Sequence, residues 1–520
     1  MISLLTATLF GVLAFASPSK RPIPVDLGYS RYQGVSLSNG VDQYLGISYA
    51  KPPLGNLRFR APESPERADG ILDASSFGPL CVGVGQSTND ALAEDCLYVN
   101  IWSPTNATVN SKLPVWFFIQ GGGYANDANG NYNGSEVVEQ SGGDIVFVNF
   151  NYRVGVLGFL ASDRVRENGD LNVGLLDQRK ALHWVQQYIH QFGGDPDHVV
   201  IHGDSAGAGS VAYHLTAHGG RDLGLFVGAM AESTFWPTAR TVEQMEFQYE
   251  RFVEDIGCEK SEDSLTCLRA MDIEAIQRFN VDKPFPGGVQ HQSLYRLYNQ
   301  FEQGKFIHLP LVVSDDTNEG TPFAYNASTA FEMTQFMKNN YPGLSPQQLE
   351  DIKNTYLHVE PLPKHAAWFA PAAAAYGEST FTCPGNHMAA SMAKVFSSSQ
   401  VWNYRFNVRD PTQIANGMGV PHVFDLPAIF GVGKTSEPTL SYANINADII
   451  PITMDYYLSF VKALDPNVYR NQNAPDWQPW GSGTGERIKL QTNMTQMESV
   501  PQSQTERCLL WKELAADMQH

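Results

Sequence analysis

A serine sits two residues from a glycine on either side, Gly203-Asp-Ser205-Ala-Gly207, directly after the β-branched run Val199-Val-Ile201. A strand can pass into a helix this abruptly only where side chains are stripped from the bend. The spacing therefore predicts a buried strand, a sharp elbow and a helix starting near Ala206. The Ser205 hydroxyl would stand clear at the strand's end, with the first N–H groups of the helix facing it. A hydrolase presents a nucleophile in this way.

The rest of the chain fits one large unit. It has 520 residues, 43% hydrophobic and 17% charged, an ordinary globular composition, and no repeat or low-complexity tract at which to divide it. Residues 1–16 carry an uncharged apolar core and end in Ala14-Phe-Ala16, the pattern of a secretory signal. The expected organisation is a signal peptide over 1–16 and a single catalytic domain over 17–520. No later stretch is apolar and long enough to span a bilayer, so stable membrane insertion is not expected. The formal net charge of −19 argues against nucleic acid and against anionic membranes as partners, and equally suits solubility in an acidic medium. The even number of cysteines, at 81, 96, 258, 267, 383 and 508, would pair as disulfides in an oxidising compartment. None has metal-ligand spacing, so neither metal nor cofactor is implied. Sequons at Asn106, Asn133, Asn326 and Asn493 agree with a secretory route.

Further apolar runs, Val115–Ile119, Ile145–Phe150, Leu309–Val313 and Val401–Phe406, alternate with helical patterns such as 177–189. Strands buried on both faces and separated by helices predict an α/β fold around a large, mostly parallel central sheet flanked by helices. In such a sheet, function gathers at the carboxyl ends of strands. After Ile119 comes Gln120-Gly-Gly-Gly-Tyr124, whose unobstructed backbone N–H groups suit an oxyanion hole. After Val313 come Asp315, Asp316 and Glu319, and after the strand at 401 comes His422. A serine needs a base and the base an orienting carboxylate. Spacing alone does not choose Glu319 over Asp315 or Asp316, nor His422 over His358, His365 or His387.

Several long motifs resemble the type-B carboxylesterases, a family that includes cholinesterases, secreted yeast lipases and the non-catalytic neuroligins. Tyr44 to Phe59 is similar to its N-terminal signature, Glu94-Asp-Cys-Leu-Tyr-Val-Asn-Ile-Trp102 to its cysteine signature and Phe192 to Gly207 to its serine signature. Asn151 to Phe159 and Gly174 to Arg179 are similar to internal landmarks. The resemblance covers nearly the whole mature chain and implies an α/β-hydrolase fold. It also implies a Ser205, Glu319, His422 triad, with the acid in Asn318-Glu-Gly320 and the base in Gly419-Val-Pro-His422, and oxyanion donors at Gly122, Gly123 and Ala206. It further implies the bridges Cys81–Cys96, Cys258–Cys267 and Cys383–Cys508 and a structural Arg58–Glu94 pair. Trp236, in Glu232-Ser-Thr-Phe-Trp236, resembles the family's acyl-pocket tryptophan and equally suits an ordinary core aromatic, and Tyr124, after the glycines, is a candidate substrate contact. Two positions depart from the pattern: Asp204 stands where glutamate is usual, and Gln120 where histidine is.

Only 14 residues, none aromatic, separate Cys81 from Cys96, where the yeast lipases carry a long lid and the cholinesterases a choline-gripping tryptophan. The expectation is a secreted serine esterase for small to medium neutral esters. A lipase for longer acylglycerols is the alternative, and a non-catalytic adhesion protein a more distant one.

Overall fold

The structure, a computed structural model, describes residues 23–128, 130–281, 296–436, 440–481 and 485–520. The expected signal peptide lies outside the described residues. Eleven strands form the main sheet: β1 (Val35–Ser36), β2 (Val41–Ser48), β3 (Tyr98–Pro104), β4 (Leu113–Ile119), β5 (Val146–Phe150), β6 (Gly194–Asp204), β7 (Gly228–Glu232), β8 (Leu311–Asp316), β9 (Val401–Phe406), β10 (Glu486–Leu490) and β11 (Gln496–Ser499). Their order across the sheet is β11-β10-β9-β8-β7-β6-β4-β5-β3-β2-β1. From β5 through β4, β6, β7, β8 and β9 to β10 every pairing is parallel, and the two edges are closed by antiparallel strands.

The alternation of side chains across β4 and β6 divides the interior in two. Val115, Phe117, Ile119, Val199 and Ile201 point into one core, while Trp116, Phe118 and Val200 point into the other. Helix α1 (Val173–Tyr188) lays Ala181, Leu182 and Val185 on the first core. Helix α2 (Ala206–Gly220), which follows the elbow, adds Ala208, Val211, Ala212 and Leu215 to it. Helix α3 (Ile449–Ala463) covers the opposite face with Met454, Tyr457, Leu458, Phe460 and Val461. Each large side chain buried in this way contributes about 1.5–3 kcal/mol of transfer free energy, and helices on both faces let a parallel sheet bury its strands completely.

The sheet brings β4, β6, β7 and β8 side by side, so the loops after Ile119, Asp204, Glu232 and Asp316 open at one edge. All three expected disulfides form: Cys81–Cys96, Cys258–Cys267 and Cys383–Cys508. Arg58 and Glu94 make a buried bidentate pair at 2.6 and 2.7 Å. Arg58 Nη1 also donates to the carbonyls of Leu268 and Met271, tying the first disulfide loop to the second.

Candidate active site

At the elbow, the backbone geometry explains the glycines. A Cβ on Gly207 would lie 1.9 Å from the Ile119 carbonyl oxygen, and one on Gly203 would lie 2.3 Å from Gly207. Only side-chain-free residues let β6 turn into α2 here. Ser205 itself takes φ 53° and ψ −119°, a conformation L-residues rarely adopt. Its N–H donates to the Glu232 carbonyl at 2.9 Å, and its hydroxyl makes no hydrogen bond among the described residues.

The glycine loop comes directly onto the nucleophile. A Cβ on Gly121 would meet Ser205 Cβ at 2.9 Å, and the Gly121 N–H donates to Asp204 Oδ1 at 2.9 Å. The N–H groups of Gly122 and Ala206 make no hydrogen bond among the described residues.

The acid and the base arrive on two loops that clamp each other. Asn318 N–H donates to the Val420 carbonyl at 2.8 Å, and Val420 N–H returns a bond to Asn318 Oδ1 at 2.9 Å. Gly419, at φ 69°, leaves room for the Asn318 side chain, which a Cβ would meet at 2.0 Å. The clamp brings His422 Nδ1 within 2.5 Å of Glu319 Oε2. The other carboxylate oxygen, Oε1, accepts from Ser233 Oγ at 2.8 Å and from the Asp316 N–H at 2.6 Å. With contacts to both oxygens, Glu319 is fixed in orientation and accepts a hydrogen bond from His422 Nδ1–H, which leaves Nε2 as the basic nitrogen. That Nε2 is buried and has no hydrogen-bond partner among the described residues, and no bond joins it to Ser205. Phe381 and Phe323 flank the imidazole at 4.4 and 5.1 Å.

The alternatives separate clearly. Asp316 Oδ2 accepts from Phe424 N–H, and Asp315 faces Arg487. His365 stacks on Phe369, His387 approaches the Tyr298 carbonyl, and His358 is exposed. Burial pushes Glu232 and Asp316 well above the usual carboxylate range and raises Asp425.

Two expected substrate contacts lie elsewhere. Trp236 has no accessible surface; its ring packs among Tyr298, Phe301 and His387, a core position. Tyr124 is likewise fully buried, with its hydroxyl beside Ser210 rather than open to a substrate. Sequence reasoning did not single out Ser233, Asn318 or Phe381. Ser233 stands immediately after the strand that ends at Glu232, and that placement is its available signal. Among the sequons, Asn106, Asn326 and Asn493 are exposed, while Asn133 is half-buried with Oδ1 accepting from Ser135 N–H.

Residues 25–511 match the carboxylesterase family, and the chain belongs to it. It is a carboxylic ester hydrolase with the α/β-hydrolase fold. The crystal structure of Aspergillus niger EstA superposes with a TM-score of 0.94 at 54% identity, covering 96% of this chain and 99% of that one. Secreted lipase 1 of Botryotinia fuckeliana is 31% identical over 502 residues, 85% of this chain and 84% of its own length. The para-nitrobenzyl esterase of Bacillus subtilis is 28% identical over 509 residues, 92% of this chain and 96% of its own.

Proposed function

We propose that this chain is a secreted serine carboxylesterase that cleaves small to medium, neutral esters through an acyl-enzyme. Ser205 attacks the ester carbonyl while His422 Nε2 takes its proton. Glu319 holds the imidazole tautomer and stabilises its positive form. The Gly122, Gly123 and Ala206 N–H groups receive the oxyanion, each donor being worth about 3 kcal/mol to the transition state. His422 then returns the proton to the leaving alcohol, and a water activated by the same nitrogen releases the acid. The missing Ser205–His422 bond is compatible with this sequence, because catalytic hydrogen bonds often tighten only with substrate bound.

The observation that carries the reading is the Glu319–His422 contact at 2.5 Å, beside a strained Ser205 against which the glycine loop packs. The similarity to a secreted lipase of Botryotinia fuckeliana favours a second reading, a lipase. Against it stands the short Cys81–Cys96 loop, which is pinned in place. Gln277 Nε2 donates to the carbonyls of Gly83 and Gln86, and the Gly85 N–H donates to Asn280.

The test is covalent. Treatment with a dialkyl p-nitrophenyl phosphate should leave one phosphoryl adduct, on Ser205, and Ser205→Ala should retain less than about a thousandth of wild-type turnover. An adduct on another serine would remove the assignment.

A further inference from the structure

We infer that Tyr124 is a positioning residue that fixes the glycine loop to the nucleophile's own helix through a buried chain of hydrogen bonds. This inference rests on the proposed role of Ser205 and the glycine loop. The donors of that role belong to two separate elements: Gly122 and Gly123 lie on the loop after β4, and Ala206 opens α2. A substrate oxygen must meet both sets at hydrogen-bond distance, so their relative placement has to be held to a fraction of an ångström.

Tyr124 follows Gly123 directly and holds φ 58°, left-handed backbone that a bulky residue adopts only where its surroundings impose it. Those surroundings are specific. The Tyr124 carbonyl accepts from Gly155 N–H at 2.8 Å, and its ring packs edge-on against Phe159 at 5.2 Å. Its hydroxyl lies 3.3 Å from the Ser210 hydroxyl. Ser210 sits one turn along α2 from the elbow and donates to the Ala206 carbonyl at 2.9 Å. Gln178 of α1 donates to Ser210 Oγ at 3.0 Å, and His214 Nε2 meets Gln178 Oε1 at 3.0 Å.

Ser210 Oγ shares its one proton between the Tyr124 hydroxyl and the Ala206 carbonyl, and beyond Ser210 the donors are fixed. Gln178 spends its amide N–H on Ser210, so its oxygen must accept and His214 Nε2 must donate. A neutral His214 can do this, and burial, with a further push from Arg179, lowers its pKa to about 3. Every member is buried. Gly209 completes the fit, because a Cβ there would come within 2.7 Å of the Tyr124 hydroxyl and 2.3 Å of the Phe235 carbonyl. The phenol thus reaches α2 through a gap that a side chain would close.

Two of the glycine loop's anchors reach the elbow and its helix, at Gly121 through Asp204 and at Tyr124 through Ser210. Loss of the second would leave substrate binding in place and blur the donors' placement, an effect confined to the transition state.

The experiment uses the full chain with Tyr124→Phe, Ser210→Ala and the double variant. Wild type is first titrated with the phosphate triester. Failure to label Ser205 would overturn the serine reading and this inference with it, whereas labelling isolates the question of Tyr124. On p-nitrophenyl butyrate, each single variant should lose about tenfold in kcat with KM within about twofold. The Ki of a trifluoromethyl ketone, which binds as a tetrahedral oxyanion, should rise by the same factor. The double variant should be no worse than either single one, because both break the same link. Unchanged kcat and Ki in either folded variant, or a rise in KM with Ki unchanged, would overturn the inference.

Discussion

Ser205, Ser233 and Val423 hold left-handed backbone at φ 53°, 52° and 55° without being glycine; the first belongs to the proposed triad, the second hydrogen-bonds Glu319 and the third follows His422. Such conformations cost about 1–3 kcal/mol apiece and persist where surrounding contacts over-determine them. Ser233 illustrates the return, since its backbone follows β7 and its hydroxyl steadies Glu319 Oε1. Ser233→Ala should lower kcat about tenfold and leave thermal stability nearly unchanged, because the Asp316 N–H still holds the same oxygen. His422→Ala should abolish turnover, whereas His365→Ala and His387→Ala should keep most of it. Steady-state rates on one ester settle the comparison, and equal losses in all three would move the base elsewhere. The motifs of the sequence named Glu319 and His422, but spacing alone left three acids and four histidines open. What separates them is the Asn318 clamp between two loops about a hundred residues apart in the chain, a contact that no local pattern encodes.

At the scale of elements, the expected runs at 115–119, 199–201 and 401–406 fall within β4, β6 and β9. Their β-branched and aromatic residues are buried on both faces and produce a strong local signal. The strand β7, Gly228-Ala-Met-Ala-Glu232, was not legible, since it is built of small residues that fit between β6 and β8 and have little strand propensity of their own. The antiparallel strands β2 and β3 also went unread. Tyr44 to Phe59 and Glu94 to Trp102 stand out as family-like signatures and carry no clean apolar–polar alternation that would mark strands. Nor does any pattern announce the π-helical turn Glu378–Thr382, which carries Phe381 to the face of His422. The elbow was legible because its glycines answer a steric demand that can be stated in advance. Gly207→Ala should therefore fail to yield folded protein, as its Cβ would overlap the Ile119 carbonyl oxygen on the adjacent strand. Gly123→Ala, where a Cβ meets nothing within 4 Å but the backbone stands at φ 62°, should fold and lose about 1 kcal/mol of stability. Soluble yield and urea unfolding of the two variants test the contrast.

Over the whole molecule, buried ionisable groups set how stability varies with pH, and they pull in opposite directions. Burial raises Asp315 to about 7, so its folded form binds a proton that the unfolded chain releases between pH 3.8 and 7, and stability falls as pH rises through that window. His214 does the reverse. Its folded pKa of about 3 lies below the unfolded value of about 6.5. The unfolded chain therefore takes up a proton first as pH falls, and stability is full above about 6.5 and declines below it. His214→Gln should remove that decline, so the urea midpoint of wild type should drop relative to the variant from pH 6.5 towards 4. A constant difference across that range would mean that His214 is charged in the fold. Charge and loop architecture together decide how the molecule meets an insoluble ester. A net charge of −19 works against anionic interfaces. A lipase lid must swing open on a lipid surface, yet residues 83–88 are tied to the glycine loop and to the helix at Ile273–Phe279. Val84 N–H donates to Ala125, Gly85 N–H to Asn280, and Thr88 to Glu274. Opening this loop would break those bonds and strain a disulfide. Rates on short-chain esters should therefore follow a single hyperbola across the solubility limit, with weak hydrolysis of emulsified long-chain triacylglycerol. A jump in rate at the onset of emulsion, together with a preference for long acyl chains, would favour the lipase instead.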